Sequence, residues 1–180
     1  MNETALKIRI IGDPLLRNKA RKIGRVSDEQ RRVLSQMSRL MYESQGIGLA
    51  APQVGVNESM IVVDIGSGLY KLINPKIIKK EGRQVTEEGC LSVPGVYIKI
   101  KRAKKILVEA LDENSQPVRL QAQDLLACVL QHEIDHLQGR LIVDYVSFLR
   151  KLTLVRKLKK LKNRSENEKL SESERKPVKL

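Results

Sequence analysis

Apolar positions along the chain switch between two periods, and each switch marks an element. Ile8-Arg9-Ile10-Ile11 reads as a short strand, stopped by the turn signal Gly12-Asp13-Pro14. Ser27-Asp28-Glu29-Gln30 has the spacing of a capping box. Behind it Val33, Met37, Leu40 and Met41 recur every three or four residues until Gly46, which predicts an amphipathic helix. From Met60 the period changes. Residues 60–63 and 70–73 are short β-branched or mixed runs, ended by Gly or Asn-Pro. Val96, Ile98 and Ile100 alternate with Tyr97, Lys99 and Lys101, the pattern of a half-buried strand. Residues 106–111 and 118–122 flank the polar turn Asp112-Glu113-Asn114-Ser115, which predicts an antiparallel hairpin. Helical spacing returns at Leu125, Leu126, Val129, Leu130 and Leu137, with Gly139 as its stop. A last series, Phe148, Leu152, Val155, Leu158 and Leu161, reads as a basic amphipathic helix. The order helix, several strands, helix predicts an α+β fold with a mostly antiparallel sheet.

Composition narrows the class. A chain of 180 residues is long enough for one self-sufficient core. We divide it into a main domain (1–147), the basic helix (148–164) and a polar tail (165–180) expected to be disordered. Hydrophobic residues at 41% and charged residues at 31% exclude a disordered acidic chain. No apolar run approaches the roughly 18–20 residues of a membrane span, so no membrane partner is expected. The start, MNETALKIRI, lacks the pattern of a signal peptide, and two cysteines do not make a disulfide framework. A reduced, cytoplasmic location is the expectation. Five aromatics and no Trp argue against a base-stacking surface, so no DNA partner is expected. The net charge of +13 is uneven: residues 145–164 hold eight basic side chains and no acid. Such charge speaks to partners and not to fold.

The only two histidines are His132 and His136, in Gln131-His132-Glu133-Ile134-Asp135-His136. Residues four apart on a helix share a face, so both imidazoles can reach one ion. Glu133, offset by about 100° around the helix, can reach a water at that ion without being a ligand. A catalytic site of this kind usually needs a third protein ligand. Cys128 lies one turn before His132, but three ligands along a straight helix would span about 12 Å, too far for bonds of roughly 2 Å. Cys90, in Glu88-Gly89-Cys90-Leu91-Ser92-Val93-Pro94-Gly95, is the better candidate, with a buried structural cysteine as the alternative. Gly46-Ile47-Gly48-Leu49-Ala50-Ala51-Pro52-Gln53-Val54-Gly55 describes a fixed, close-packed loop around one amide. It lacks the Lys-Ser/Thr of a phosphate loop, and an amide aimed at a polarised carbonyl suits a metal hydrolase.

Taken together, GIGLAAPQVG, EGCLSVPG and QHEIDHLQG, in this order and spacing, closely resemble the three signature motifs of peptide deformylases. The resemblance covers roughly residues 6–148. It implies an α+β fold around a central helix carrying the two histidines. It implies removal of the formyl group from the N-terminal formyl-methionine of newly made proteins, with nascent formyl-methionyl polypeptides as the substrate. It also implies Fe(II) as the metal, with zinc or nickel able to substitute. Carried onto this chain, the metal ligands are Cys90, His132 and His136, and Glu133 is the general base. Gln53 and the Leu91 N–H become donors to the oxyanion. Ile47, Gly48, Gly89, Leu125, Cys128 and Val129 are the expected substrate-binding residues, with ordinary core as the alternative for the apolar ones. Glu88 and Arg102 are expected to support the ligands, against the alternative of a surface ion pair.

Two other readings compete. An H-E-x-x-H metallopeptidase would recruit a third His or an acid downstream; no third His exists, and Cys90 and Gln53 would then lack roles. A basic adaptor is supported by the C-terminal helix alone. That helix is expected to contact the ribosome through RNA phosphates.

Overall fold

The structure, a computed structural model, describes residues 6–147 and residue 154. Apart from Leu154, the basic helix expected at 148–164 and the tail at 165–180 lie outside the described residues. Helix α1 (Asp28–Glu43) is followed by strands β1 (Gly48–Ala50), β2 (Met60–Val63), β3 (Tyr70–Glu81), β4 (Gln84–Glu88), β5 (Ile98–Arg102), β6 (Lys105–Leu111) and β7 (Pro117–Gln123). Helix α2 (Asp124–Leu137) then returns across the sheet. Short 3-10 turns occur at Pro14–Arg17, Ala51–Val54 and Ile142–Tyr145.

The capping box opens α1 as its spacing predicts: the Ser27 N–H donates to Gln30 Oε1 at 3.0 Å, and the Ser27 hydroxyl accepts from the Glu29 N–H. Leu34, Met37 and Met41 are fully buried against Leu49, Met60, Val62 and Ile73. On the opposite face Ala127, Val129, Leu130 and Leu137 of α2 pack on Ile61, Val63, Leu72, Ile106 and Val108. Strand β2 is therefore covered on both sides, which is why Met60-Ile61-Val62-Val63 is a continuous apolar run and not an alternation. The main sheet has the order β1-β2-β3-β6-β7, every neighbour antiparallel. Strands β4 and β5 form a separate antiparallel ribbon, packed on Leu16, Val93 and the 142–145 turn.

Several expectations from the sequence are corrected. Residues 8–11 join no sheet; they form a strap held by Arg9 N–H to Gln53 O (2.7 Å) and Ile11 N–H to Ser92 O (2.8 Å). The run at 70–73 does not stop at Asn74-Pro75. It continues to Glu81 through an irregular register, with Asn74 at φ 53° and its amide bonded to both the N–H and the carbonyl of Ile23. The left-handed residue after α1 is Gln45, not Gly46. The alternating segment at 96–100 pairs only from Ile98. Strands β1 and β4 carry no periodic signal of their own, being three and five residues long. Among the described residues no helix is long and apolar enough to cross a membrane.

Candidate metal centre and cleft

Helix α2 is the platform. The four-residue spacing brings His132 Nε2 and His136 Nε2 to 3.2 Å of each other. Cys90 arrives from the turn after β4, with Sγ 3.3 Å from His136 Nε2. One donor atom from each of the three residues lies within 4.8 Å of the others. A tetrahedral cation with bonds of about 2.0–2.3 Å holds its donors roughly 3.4–3.7 Å apart, so the cluster fits one ion with small adjustments. Cys128 is not part of it. It is buried on α2 and accepts a hydrogen bond from Thr86 Oγ1 at 3.5 Å.

The surroundings hold the three donor side chains in place. Glu88, at the end of β4, lies 2.8 Å from His132 Nδ1, which leaves Nε2 facing the cluster. Arg102, on the paired strand β5, grips the same carboxylate with two bonds of 2.7 and 2.8 Å. Both side chains are under 10% exposed, so this is a buried pair and not a surface one. Burial alone would raise the Glu88 carboxyl, but bonds from Arg102 and His132 outweigh it and hold it down at about 2. The remaining Arg102 nitrogen donates to Asp135 (2.6 Å), and the guanidinium lies 4.8 Å over the Tyr145 ring, whose hydroxyl also donates to Asp135.

Charge in the cluster is one-sided. Burial disfavours a charged His132, but its bonds to Cys90 and Glu88 prevail and hold it up at about 10. Burial and the His132 charge push His136 well below the usual histidine range. The two imidazoles, 3.2 Å apart, are thus not protonated together.

Glu133 is 3% exposed and its Oε2 has no partner among the described residues. Burial pushes its carboxyl up to about 7, where a group can both take and return a proton at neutral pH. Gly48 faces it: a Cβ there would press into Glu133 Oε1 and stand 2.9 Å from both Glu133 Cδ and Val129 Cγ1. Gln53 is buried and oriented by its carbonyl, which accepts the Ala50 N–H at 2.8 Å. Its amide nitrogen is thereby turned toward Ser92 Oγ (3.2 Å) and Cys90 Sγ (3.6 Å).

A cleft of about 670 Å³ opens onto this cluster. Gly48, Gly89, Cys90, Leu91, His132 and Glu133 border it, and Ile47, Leu125, Cys128 and Val129 form apolar walls. Ile47 and Leu125 are about half exposed at the mouth, whereas Cys128 and Val129 are buried deeper. His136 is 2% exposed and is the member of the cluster that does not line the cleft. Every site residue inferred from the sequence is thus brought to one place. Sequence reasoning missed Tyr97, which is 71% exposed and lines the cleft against Gly89, because the alternation over residues 96–101 marks it only as outward-facing. It also missed Ser92, Asp135 and Tyr145. For Asp135 a signal existed, since it stands between the histidines.

Comparison with known proteins places the chain among proteins of one family. The family model described as polypeptide deformylase matches residues 5–152. A peptide deformylase from Syntrophomonas wolfei is 52% identical over 134 residues, 74% of this chain and 88% of the relative. One from Alkalilimnicola ehrlichii is 45% identical over 160 residues, 87% of this chain and 90% of the relative. The crystal structure of a peptide deformylase from Legionella pneumophila superposes with a TM-score of 0.85 at 38% identity, covering 97% of this chain and 100% of that one. A Synechococcus elongatus peptide deformylase, solved in complex with actinonin, gives a TM-score of 0.79 at 44% identity, covering 85% of each chain.

Proposed function

This chain belongs to the peptide deformylase family, metal-dependent hydrolases that remove N-terminal formyl groups from nascent polypeptides, and on that premise we propose that Cys90, His132 and His136 hold the metal and that Glu133 is the general base. The observation that carries this assignment is the convergence of the three donors beside a buried carboxyl with a free oxygen. The cation would supply Lewis-acid polarisation of the formyl group and a more acidic water. Glu133 takes the proton of the attacking water and later returns one to the leaving amine. Gln53 Nε2 and the Leu91 N–H donate to the formyl oxygen as its charge grows. The Glu88–Arg102 pair keeps His132 in the ligating orientation.

Fe(II) is the proposed native metal, with zinc or nickel as substitutes, because a thiolate beside two imidazoles suits a soft or redox-active ion. The apolar walls Ile47, Leu125, Cys128 and Val129 would receive the unbranched methionine side chain, with Gly48 and Gly89 letting the substrate backbone approach. We assign the enzyme to the cytoplasm, with the basic segment at 148–164 contacting the ribosome. The alternative of an H-E-x-x-H endopeptidase is disfavoured by the family membership and by the roles the cluster gives Cys90 and Gln53.

The test is anaerobic metal analysis combined with formate release from formyl-Met-Ala. One metal per chain and stoichiometric formate are expected. A fully metal-loaded Cys90→Ala variant would overturn the ligand assignment.

A further inference from the structure

Residues 17–25 carry five basic side chains, Arg17, Lys19, Arg21, Lys22 and Arg25, and no acid. Beyond the 3-10 turn ending at Arg17 the stretch belongs to no helix and no sheet, yet it is lashed down at successive points. Ala20 N–H donates to Leu137 O (2.9 Å), Arg21 N–H to Asn57 O (3.1 Å), and Arg21 O accepts from Ser59 N–H (2.8 Å). The Asn74 amide grips Ile23 at 3.0 and 2.7 Å. Ala20, Ile23 and Val26 are buried, which turns the intervening side chains outward. All five cations are exposed. Arg17 is engaged with Asp144 and Gly139 O, and Arg21 with Asn57 O. Lys19, Lys22 and Arg25 make no ion pair or side-chain hydrogen bond among the described residues, so internal pairing does not account for them.

We propose that this rigid basic rib is a docking surface for the phosphate backbone of structured RNA on the ribosome, where a deformylase would meet its substrate; the choice of partner rests on that reading of the enzyme. The rib sits at the C-terminal end of α2, through the Ala20–Leu137 bond, whereas the cleft mouth lies at Leu125. Twelve residues of helix, about 18 Å, separate the rib from the Leu125 end of the mouth, so an RNA surface held on the rib leaves that end open to an emerging chain. The Arg17–Asp144 pair ties the rib to the 142–145 turn, and the eight-cation segment begins shortly after that turn in the sequence. None of the exposed large apolar residues falls within 17–25, which removes the wedge a lipid surface would need. With no aromatic for stacking either, backbone phosphate is the matching chemistry.

The test measures binding of the full chain to intact ribosomes from low to moderate salt. Three variants are compared: Lys19→Gln/Lys22→Gln/Arg25→Gln on the rib, Lys76→Gln/Lys80→Gln/Lys105→Gln on the exposed β3–β6 face, and Lys157→Glu/Lys159→Glu/Lys160→Glu/Lys162→Glu in the C-terminal segment. The rib variant should lose about tenfold or more in affinity, with a log–log salt slope lower by about 2, while the β3–β6 variant stays near wild type. Formate release from formyl-Met-Ala should be unchanged in both. Equal losses in the rib and β3–β6 variants would reduce the effect to net charge and overturn the proposal. Loss of binding to phosphatidylglycerol vesicles without loss of ribosome binding would overturn it in favour of a membrane. Loss in the C-terminal variant alone would remove the rib but keep the C-terminal contact. No ribosome binding by the intact chain, with deformylation preserved, would remove both contacts and leave the enzyme assignment standing.

Discussion

Replacing Gly48 by alanine should disable the enzyme without emptying the metal site. The added methyl would overlap Glu133 Oε1 and come within 2.9 Å of Glu133 Cδ and of Val129 Cγ1. Ordinary carbon contacts lie at about 3.5–4.0 Å, so something must yield by roughly 0.6–1 Å. Strand β1 resists, since Gly48 is paired with Val63 and the next two residues are fully buried. The carboxylate is the part that moves, because Oε2 has no hydrogen-bond partner among the described residues. A misplacement of about 1 Å costs on the order of 10²-fold in rate, or about 2.7 kcal/mol in barrier. The three donors do not include Glu133, so one metal per chain should remain. The assay is formate release under anaerobic conditions, with metal content and thermal unfolding measured on the same preparation. A Gly48→Ala enzyme within threefold of wild type would refute the argument, and so would inactivity that tracks metal loss.

Glu133→Gln should keep the metal and lose nearly all formate release; stoichiometric metal loss would make Glu133 a ligand. Cys90→Ala should weaken metal binding, whereas Cys128→Ala should leave it intact and change the preference at methionine, read by metal titration and by comparing formyl-Met with formyl-norleucine and formyl-Leu peptides. Glu88→Gln leaves Arg102 buried with a weaker partner, so unfolding free energy should fall by about 3–5 kcal/mol and metal release to a chelator should speed up by about 10–100-fold. Unchanged chelation kinetics would reduce Glu88 to a structural partner. Stripping the metal should lower the melting temperature of the wild type but not of Cys90→Ala, because a ligand stabilises only the state that binds it.

Much of the fold was legible where one residue period persisted. The α1 stripe of Leu34, Met37 and Met41, its Ser27–Gln30 cap, and the 105–123 hairpin depend on neighbours within a few residues, and they appear as expected. So does the pairing of His132 with His136, since four residues of helix put both on one face whatever surrounds them. Elements that exist only because a distant segment pairs with them were not legible. The strap at 8–11 looks like a strand but finds only single bonds to Gln53 and Ser92. Strand β3 runs past Pro75 because Asn74 is held by Ile23, some fifty residues away.

The same division separates the proposed ligands from what positions them. Residue types, spacing and the three motifs named Cys90, His132, His136, Glu133 and Gln53 as a set, because those chemical demands are local to each motif. Their convergence on one point was settled by tertiary structure: the β4–β5 ribbon carries Cys90 to α2, and β1 lays Gly48 against Glu133. Tertiary structure also decided that Glu88 and Arg102 form a buried clamp, a choice that charge alone leaves open. Burial is a property of the assembled layers. A carboxylate reads the same in sequence whether water or Arg102 faces it, and only packing removes the water.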